Sequence, residues 1–553
     1  MNRKGQMILH AAMALALVVG VMSIYAQTSG FSFVRLDDQD YTFLCPFVKD
    51  GLSVANIVEA FRRIDYAAIW MPITSFTYMM GISLFGSGPC QHHLLNVAFH
   101  AVNAVLLYVL LFRLARRFDA ESRIVRTATV ACAAAAFWAL HPMRVESVAW
   151  IASRKDVVFL FFTLCGLLCW DSRRWWLGGV CCALACMAKP SAMVFPAIAI
   201  CLEMISRPAE AIARGRRSII IYAPLFLMAV ATGLLAMYSQ THADGDTLPL
   251  MRQPFAWRLL NGATSLGLSL KSALWPTSLA PMYRAVPDGM PLHAVAGIVS
   301  LVLASGVFVF AWAKTKDSAV RRVLVACAAW YLIAIGPTLG VAGSFGNHAR
   351  ADRFTYLPSI AISILLMILL VRVVGALSRR AFKVAVAVVV VPIVASAAGA
   401  FCYAQCFRDN LSLFERAIEC DPDYPEVLTM LGNEYYMSRR DPERGIALLR
   451  RSYELCDSDK TAAQLAFALA MRGRPEDFNE VKRVCGNMAQ DFSKDPSCLG
   501  VQALGLVALR REDWFEAARC FKYLEKHAPQ EDVRMKSRKT LEMMRARMPF
   551  MNF

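Results

Sequence analysis

Two adjacent acids, Asp37 and Asp38, sit in the stretch FVRLDDQDYTF, residues 33–43. Aromatic and apolar neighbours shift carboxylate pKa values and can equip one acid as a general base. The same pair also suits a solvated loop or a helix cap. A second stretch, HPMRVESVAWIASRKD at 141–156, holds His141, Glu146, Arg154, Lys155 and Asp156. Glu146, Trp150 and Arg154 recur every four residues, which predicts an acid, an aromatic and a base on one helix face. Arginine gives bidentate hydrogen bonds to phosphate, so a lipid phosphate at the membrane interface would suit Arg154. The plainer alternative is an intrahelical ion pair with an interfacial anchor. In MAKPSAMVFP, residues 187–196, Lys189 either binds an anion or snorkels. In ARADRFTYLP, residues 349–358, preceded by Asn347 and His348, Asp352 and Arg353 fall just before an apolar run. Ionisable groups there are costly and often functional, with a structural ion pair as the alternative. His93, Asn96 and His100 share a helix face by spacing, which fits either a metal site or hydrogen bonds between packed helices.

The elements that must position these residues are membrane helices. The chain has 553 residues, 57% hydrophobic and only 18% charged, a composition rare in soluble domains. A helix needs about 20 apolar residues to cross the hydrocarbon core. Candidate spans lie near 7–27, 93–113, 125–142, 156–170, 174–188, 190–205, 218–238, 292–313, 321–340, 357–374 and 383–404. Segments 70–86 and 259–280 are semi-apolar and read as in-plane, re-entrant or extra crossings. The first run is near full span length and lacks a clear small-residue cleavage site, so it reads as a retained span.

Net charge is +17. Its basic residues cluster in short loops beside apolar runs, from Arg3–Lys4 to Arg379–Lys383, where they set membrane orientation rather than imply a nucleic-acid partner. The count places the N-terminus in the cytoplasm. It gathers 28–92, 141–156, Lys189–Ser191 and 340–356 on the opposite face, together with everything after about Tyr403. No Gly-rich nucleotide cradle is visible, which disfavours binding of a soluble nucleotide. Most of the 17 Cys read as small hydrophobes. Cys485 and Cys498 form a disulfide candidate in an oxidising compartment.

Beyond about Phe407 the pattern changes to amphipathic helices with short turns. Leu431 and Leu465 lie 34 residues apart, the tetratricopeptide period. DWFEAARCFKYLEKHAP at 513–529 reads as a second helix of such a repeat. About three repeats are near the minimum for a stable stack. Such arrays bind peptides in concave grooves; a cap over the active face is the alternative role.

Seven stretches, in order, resemble the transmembrane and tetratricopeptide-repeat-containing O-mannosyltransferases of the glycosyltransferase-C fold class. They are FVRLDD, WMPITSFTY at 70–78, HHLLNVAFHAVNAVLLY at 92–108, HPMRVESVAWIASRKD, MAKPSAMVFP, Lys271 with WPTSLAPMY at 275–283, and ADRFTYLP at 351–358. The resemblance implies an all-α protein: a polytopic membrane bundle of about 11 spans over 1–404, and a tetratricopeptide-like α-solenoid over 405–553. It implies a polyprenyl-phosphate sugar donor, mannose first, and a protein or peptide hydroxyl as acceptor. Asp37 would then be the base and Asp38 would orient the base or the acceptor. Arg154, Lys155, Arg353 and Lys189 would hold the donor phosphate. His93, His141, Glu146, Asp156, Asp352 and Tyr356 would support them. No resident cofactor is implied; a divalent metal serves some members of the class. MAKP has Pro where an acid would be expected after Lys189, which sets its role apart. Short loops, abundant Ala and a brief array point to a bacterial inner membrane with a periplasmic active face, the endoplasmic reticulum lumen being the alternative. Two rival classes are a lipid-linked sugar transporter or flippase, which would keep its ionisable residues near the midplane, and a non-catalytic scaffold led by the tail.

Overall fold

The computed structural model of the chain describes residues 2–64, 66–119, 123–242, 253–285, 291–341, 350–375, 378–438 and 440–548. Among these residues there are helices and turns and no strands. The chain divides into two compact units, Met1–Ser412 and Leu413–Phe553.

In the first unit every apolar run forms a helix. Among the described residues six helices are long and apolar enough to cross a membrane: Arg3–Gly30, Pro89–Phe118, Arg217–His242, Leu292–Lys314, Ser318–Thr338 and Val384–Phe407. The pair Ile124–Ala139 and Pro142–Ala149, bent by 59°, makes a seventh if it is one span. Length and composition alone therefore carry six or seven of the eleven expected crossings. Trp175–Ala188, Pro190–Ser206 and Ile360–Val373 are shorter apolar helices. The semi-apolar segments form Pro72–Phe85 and Phe255–Leu274, and neither is among the helices that meet the crossing criteria. Lipid explains the surface. Val295, Val302, Leu303, Val307 and Phe310 all stand exposed on the Pro291–Lys314 helix. In water so large an apolar face would be a liability. In a bilayer it is the face a helix must show, because its backbone groups are already paired internally.

The bend after Ala139 is the feature that builds the site. From His141 to Asp156 the chain runs as short turns, Pro142–Arg144, Val145–Ala149 and Ile151–Ser153, before the helix Arg154–Asp171 begins. Every residue from His141 to Asp156 is buried. Irregular backbone at this depth survives only if protein groups satisfy it. Asn96 Nδ2 donates to the Trp150 carbonyl at 3.0 Å, and the Tyr78 hydroxyl donates to the Ile151 carbonyl at 2.7 Å. Asn103 Nδ2 donates to the Val157 carbonyl at 2.8 Å. The loop after the first span is tied down from the far end of the unit. Ser32 N–H donates to the Arg408 carbonyl at 2.9 Å, and Arg35 N–H to Asn410 Oδ1 at 2.7 Å.

The second unit is a series of helices joined by short turns. Pro425–Met437 precedes Pro442–Leu455, Asp459–Arg472 precedes Asp477–Val484, and Leu499–Arg510 precedes Trp514–His527; Glu531–Arg547 follows. Leu431 and Leu465 are both buried in the first helices of their pairs. Gly432 and Gly445 let the first pair approach closely: a Cβ on Gly432 would stand 2.9 Å from the Gly445 carbonyl oxygen. Asp441 and Asp513 cap the helices that follow them, accepting from the N–H groups of Arg444 and Glu516 at 3.0 and 3.2 Å, which satisfies donors the helix cannot. Cys485 and Cys498 are both buried free thiols, not a disulfide.

Candidate active site

The two adjacent acids have opposite surroundings. Asp38 is fully buried. Its Oδ2 accepts the Val34 N–H at 2.9 Å and its Oδ1 accepts the Ala152 N–H at 2.8 Å. Asp38 thus staples the loop after the first span onto the bent 141–154 segment. Burial pushes its carboxyl up to about 7, against the lowering effect of those two donors. Asp37 keeps its side chain 44% exposed, with Lys155 Nζ 3.9 Å from its carboxylate. Lys155 lies almost wholly covered, 4.4 Å above the Tyr41 ring and 3.3 Å from the Tyr41 hydroxyl.

Around this pair the bend collects further charge. Arg353 pairs with Glu146 through its guanidinium, and its backbone N–H donates to Glu146 Oε2 at 2.8 Å. The Trp150 ring lies between two cations, with Arg353 Cζ at 5.0 Å and Lys155 Nζ at 5.9 Å. Lys189 pairs with Asp156 at 2.5 Å. Lys155 is within electrostatic range of Asp37, Arg353, Lys189 and Asp156. The structure therefore brings Asp37, Glu146, Lys155, Asp156, Lys189 and Arg353 together from four separate stretches. Lys189 finds in Asp156 the acid that its own motif lacks.

Other expectations need correction. Glu146, Trp150 and Arg154 do not share a helix face, because Trp150 has extended backbone (φ −83°, ψ 122°). Asn96 and Tyr78 capture the carbonyls that a continuous helix would have used. Arg154 turns away from the charged cluster and is fully buried. Its Nε donates to Asn96 Oδ1 at 2.8 Å, its Nη2 to the His92 carbonyl at 2.6 Å, and its guanidinium lies 4.3 Å over the Tyr78 ring. A phosphate would have to displace these partners, so Arg154 fastens the fold. Arg353 pairs with Glu146, not with its neighbour Asp352. Asp352 accepts from Tyr283 at 2.9 Å, with Arg350 at 4.0 Å. His100, Asn96 and His93 do not converge on a metal. His100 bonds the Tyr356 hydroxyl at 2.7 Å and the Ala139 carbonyl at 2.9 Å, and His93 packs edge-on against Phe31. His141 accepts the Met143 N–H at 3.2 Å and caps the turn. His348 and Asn347 lie outside the described residues. Among the described residues no group of three His, Cys, Asp or Glu side chains is arranged to hold a metal ion.

Sequence reasoning missed Tyr41, whose ring supports Lys155, and Arg144, buried with its guanidinium on the Thr355 hydroxyl and carbonyl at 2.7 and 3.0 Å. Tyr41 follows Asp37 by four residues, a spacing that puts both on one face of the short helix Asp38–Tyr41. Arg144 lies inside the HPMRVES stretch with no signal to separate it from Arg154.

Chemically, the cluster offers one accessible carboxylate beside the buried cations Lys155 and Arg353. That arrangement suits proton removal from a hydroxyl next to a departing anion.

The comparisons with known proteins bear on the class of the protein. The model of Glycosyltransferase family 87 matches residues 77–335, just under half of the chain. A Caenorhabditis elegans relative named protein O-mannosyl-transferase F38B6.6 is 25% identical over 174 residues, 30% of this chain. The aligned part spans about a fifth of that relative, 22% of its length. No solved structure matches the chain. Helices and family match together support an integral membrane glycosyltransferase.

Proposed function

We propose that the chain transfers a sugar, mannose first, from a polyprenyl-phosphate donor to a Ser or Thr hydroxyl of a protein at the membrane surface. The observation that carries this reading is the contrast between Asp37 and Asp38: one carboxylate exposed beside Lys155, its neighbour buried and bound to two backbone N–H groups. Asp37 accepts the acceptor's proton as its oxygen attacks the anomeric carbon. The bond from that carbon to the donor phosphate breaks, and the lipid phosphate leaves with the electron pair. Lys155 and Arg353 stabilise the developing charge, with Lys189 behind them in its pair with Asp156.

The gathering of six ionisable groups at one end of the helices favours an enzyme over a transporter, whose site would lie near the midplane. The helical pairs of Leu413–Phe553 fit a tetratricopeptide-like array that recruits acceptor protein. A bacterial inner membrane with the cluster facing the periplasm is the favoured setting. The test is to incubate purified protein with a panel of polyprenyl-phosphate sugars and acceptor peptides, with and without EDTA. Sugar transfer to peptide from a lipid-phosphate donor supports the proposal. Transfer only from a nucleotide sugar, or lipid translocation without transfer, contradicts it.

A further inference from the structure

The opposite end of the first unit carries a second charge cluster that the reaction does not use. Asp171 ends the Arg154–Asp171 helix and is almost fully buried. Three arginines converge on it. Arg117 bonds Asp171 Oδ1 at 2.5 Å, Arg113 lies 3.5 Å from Oδ2, and Arg207 lies 3.8 Å from Oδ1 while donating to the Asp171 carbonyl. One carboxylate neutralises one of them. Nearby, Glu203 pairs with Arg214 and Glu210 with Arg173. Among the described residues three arginines thus meet on one carboxylate within 4.0 Å, and all three side chains keep solvent-facing surface, 41%, 29% and 22%.

Position says what meets these arginines. Arg113 follows His92 by 21 residues on the one helix Pro89–Phe118, about 32 Å at 1.5 Å per residue. His92 touches Arg154 at the bend that carries the candidate site. The hydrocarbon core is about 30 Å thick, so the arginines lie at headgroup level in the opposite leaflet. Trp176, 72% exposed, stands at the same level, where aromatic side chains mark the interface. Arginine forks match phosphate oxygens bidentately.

We infer that Arg113, Arg117 and Arg207, gathered on Asp171, form a binding site for the phosphate of an anionic phospholipid headgroup in the leaflet opposite the candidate active site. The inference is independent of which sugar the protein transfers, or whether it transfers one. The test uses the full chain in nanodiscs of mixed phosphatidylcholine and phosphatidylglycerol, released into native mass spectrometry. The expected result is retained phosphatidylglycerol in preference to phosphatidylcholine. Arg113→Gln, which leaves Arg117 on Asp171, should lower that preference roughly fivefold, the worth of one arginine near an anionic surface. Asp171→Asn removes the competing carboxylate and should raise it; Arg113→Gln, at the more exposed position, keeps the test informative if Asp171→Asn fails to fold. Equal retention of both lipids, or a preference that neither variant changes, overturns the inference. Stripping of the lipid by millimolar inorganic phosphate overturns the lipid assignment in favour of a soluble anion.

Discussion

Asp38→Asn separates the staple from the base. The native carboxylate accepts two backbone N–H groups, from Val34 and Ala152, with no exposure to solvent. Asparagine keeps one acceptor oxygen and turns an NH2 group toward the other N–H. One hydrogen bond is lost and one buried donor is left unsatisfied, a cost of about 1–3 kcal/mol. Thermal unfolding of the purified protein should show a Tm lowered by a few degrees. The pH profile gives a second reading. Burial holds the Asp38 carboxyl at about 7, against about 3.9 in an unfolded chain. The folded form therefore binds this proton more tightly, and the stability it contributes is present below about pH 4 and is lost as pH rises toward 7. Asp38→Asn has no such proton, so its Tm should be flatter than the native Tm across that window. Unchanged Tm together with an unchanged pH profile would refute the reasoning.

Four further perturbations test neighbouring parts of the account. Lys155→Gln, beside Asp37, should lower kcat on the order of 100-fold with the fold intact by circular dichroism. Arg154→Lys should instead lower Tm and protein yield, because a lysine cannot replace the fork held by Asn96 and His92; a pure rise in donor KM at unchanged Tm would contradict that placement. Glu146→Gln breaks the pair with Arg353 and should destabilise by about 3–5 kcal/mol, and adding Arg353→Leu should recover part of the loss in a double-mutant cycle. In the second unit, Gly432→Ala would press a Cβ to 2.9 Å from the Gly445 oxygen and should cost about 1–3 kcal/mol, read as a lower Tm without change in the chemistry of the membrane unit.

The apolar runs made the helices legible in the sequence, because a stretch that avoids charge for most of a membrane's thickness has few other uses. The charged motifs were legible as stretches, and Asp37, Lys155 and Arg353 do come together. Partnerships were not legible. Arg154 and Lys155 are adjacent, yet one turns to Asn96 and His92 and the other to Asp37 and Tyr41. The direction depends on the break at Trp150. That break depends on Asn96 and Tyr78, which reach it from 54 and 73 residues earlier in the chain. Periodicity within 141–156 sees a continuous helix because the capturing side chains lie outside the window. Lys189 is similar: its acid, Asp156, comes from another helix, so its own motif shows only a lysine before a proline.

The most direct measurement is sugar transfer by Asp37→Asn. The purified variant, shown to be folded by its Tm, is incubated with polyprenyl-phosphate mannose and an acceptor peptide. Asp37 is exposed and bears no backbone hydrogen bonds comparable to those of Asp38, so Tm should stay near native while transfer falls about 100-fold or more. Native transfer rates in a folded Asp37→Asn protein would contradict the central claim.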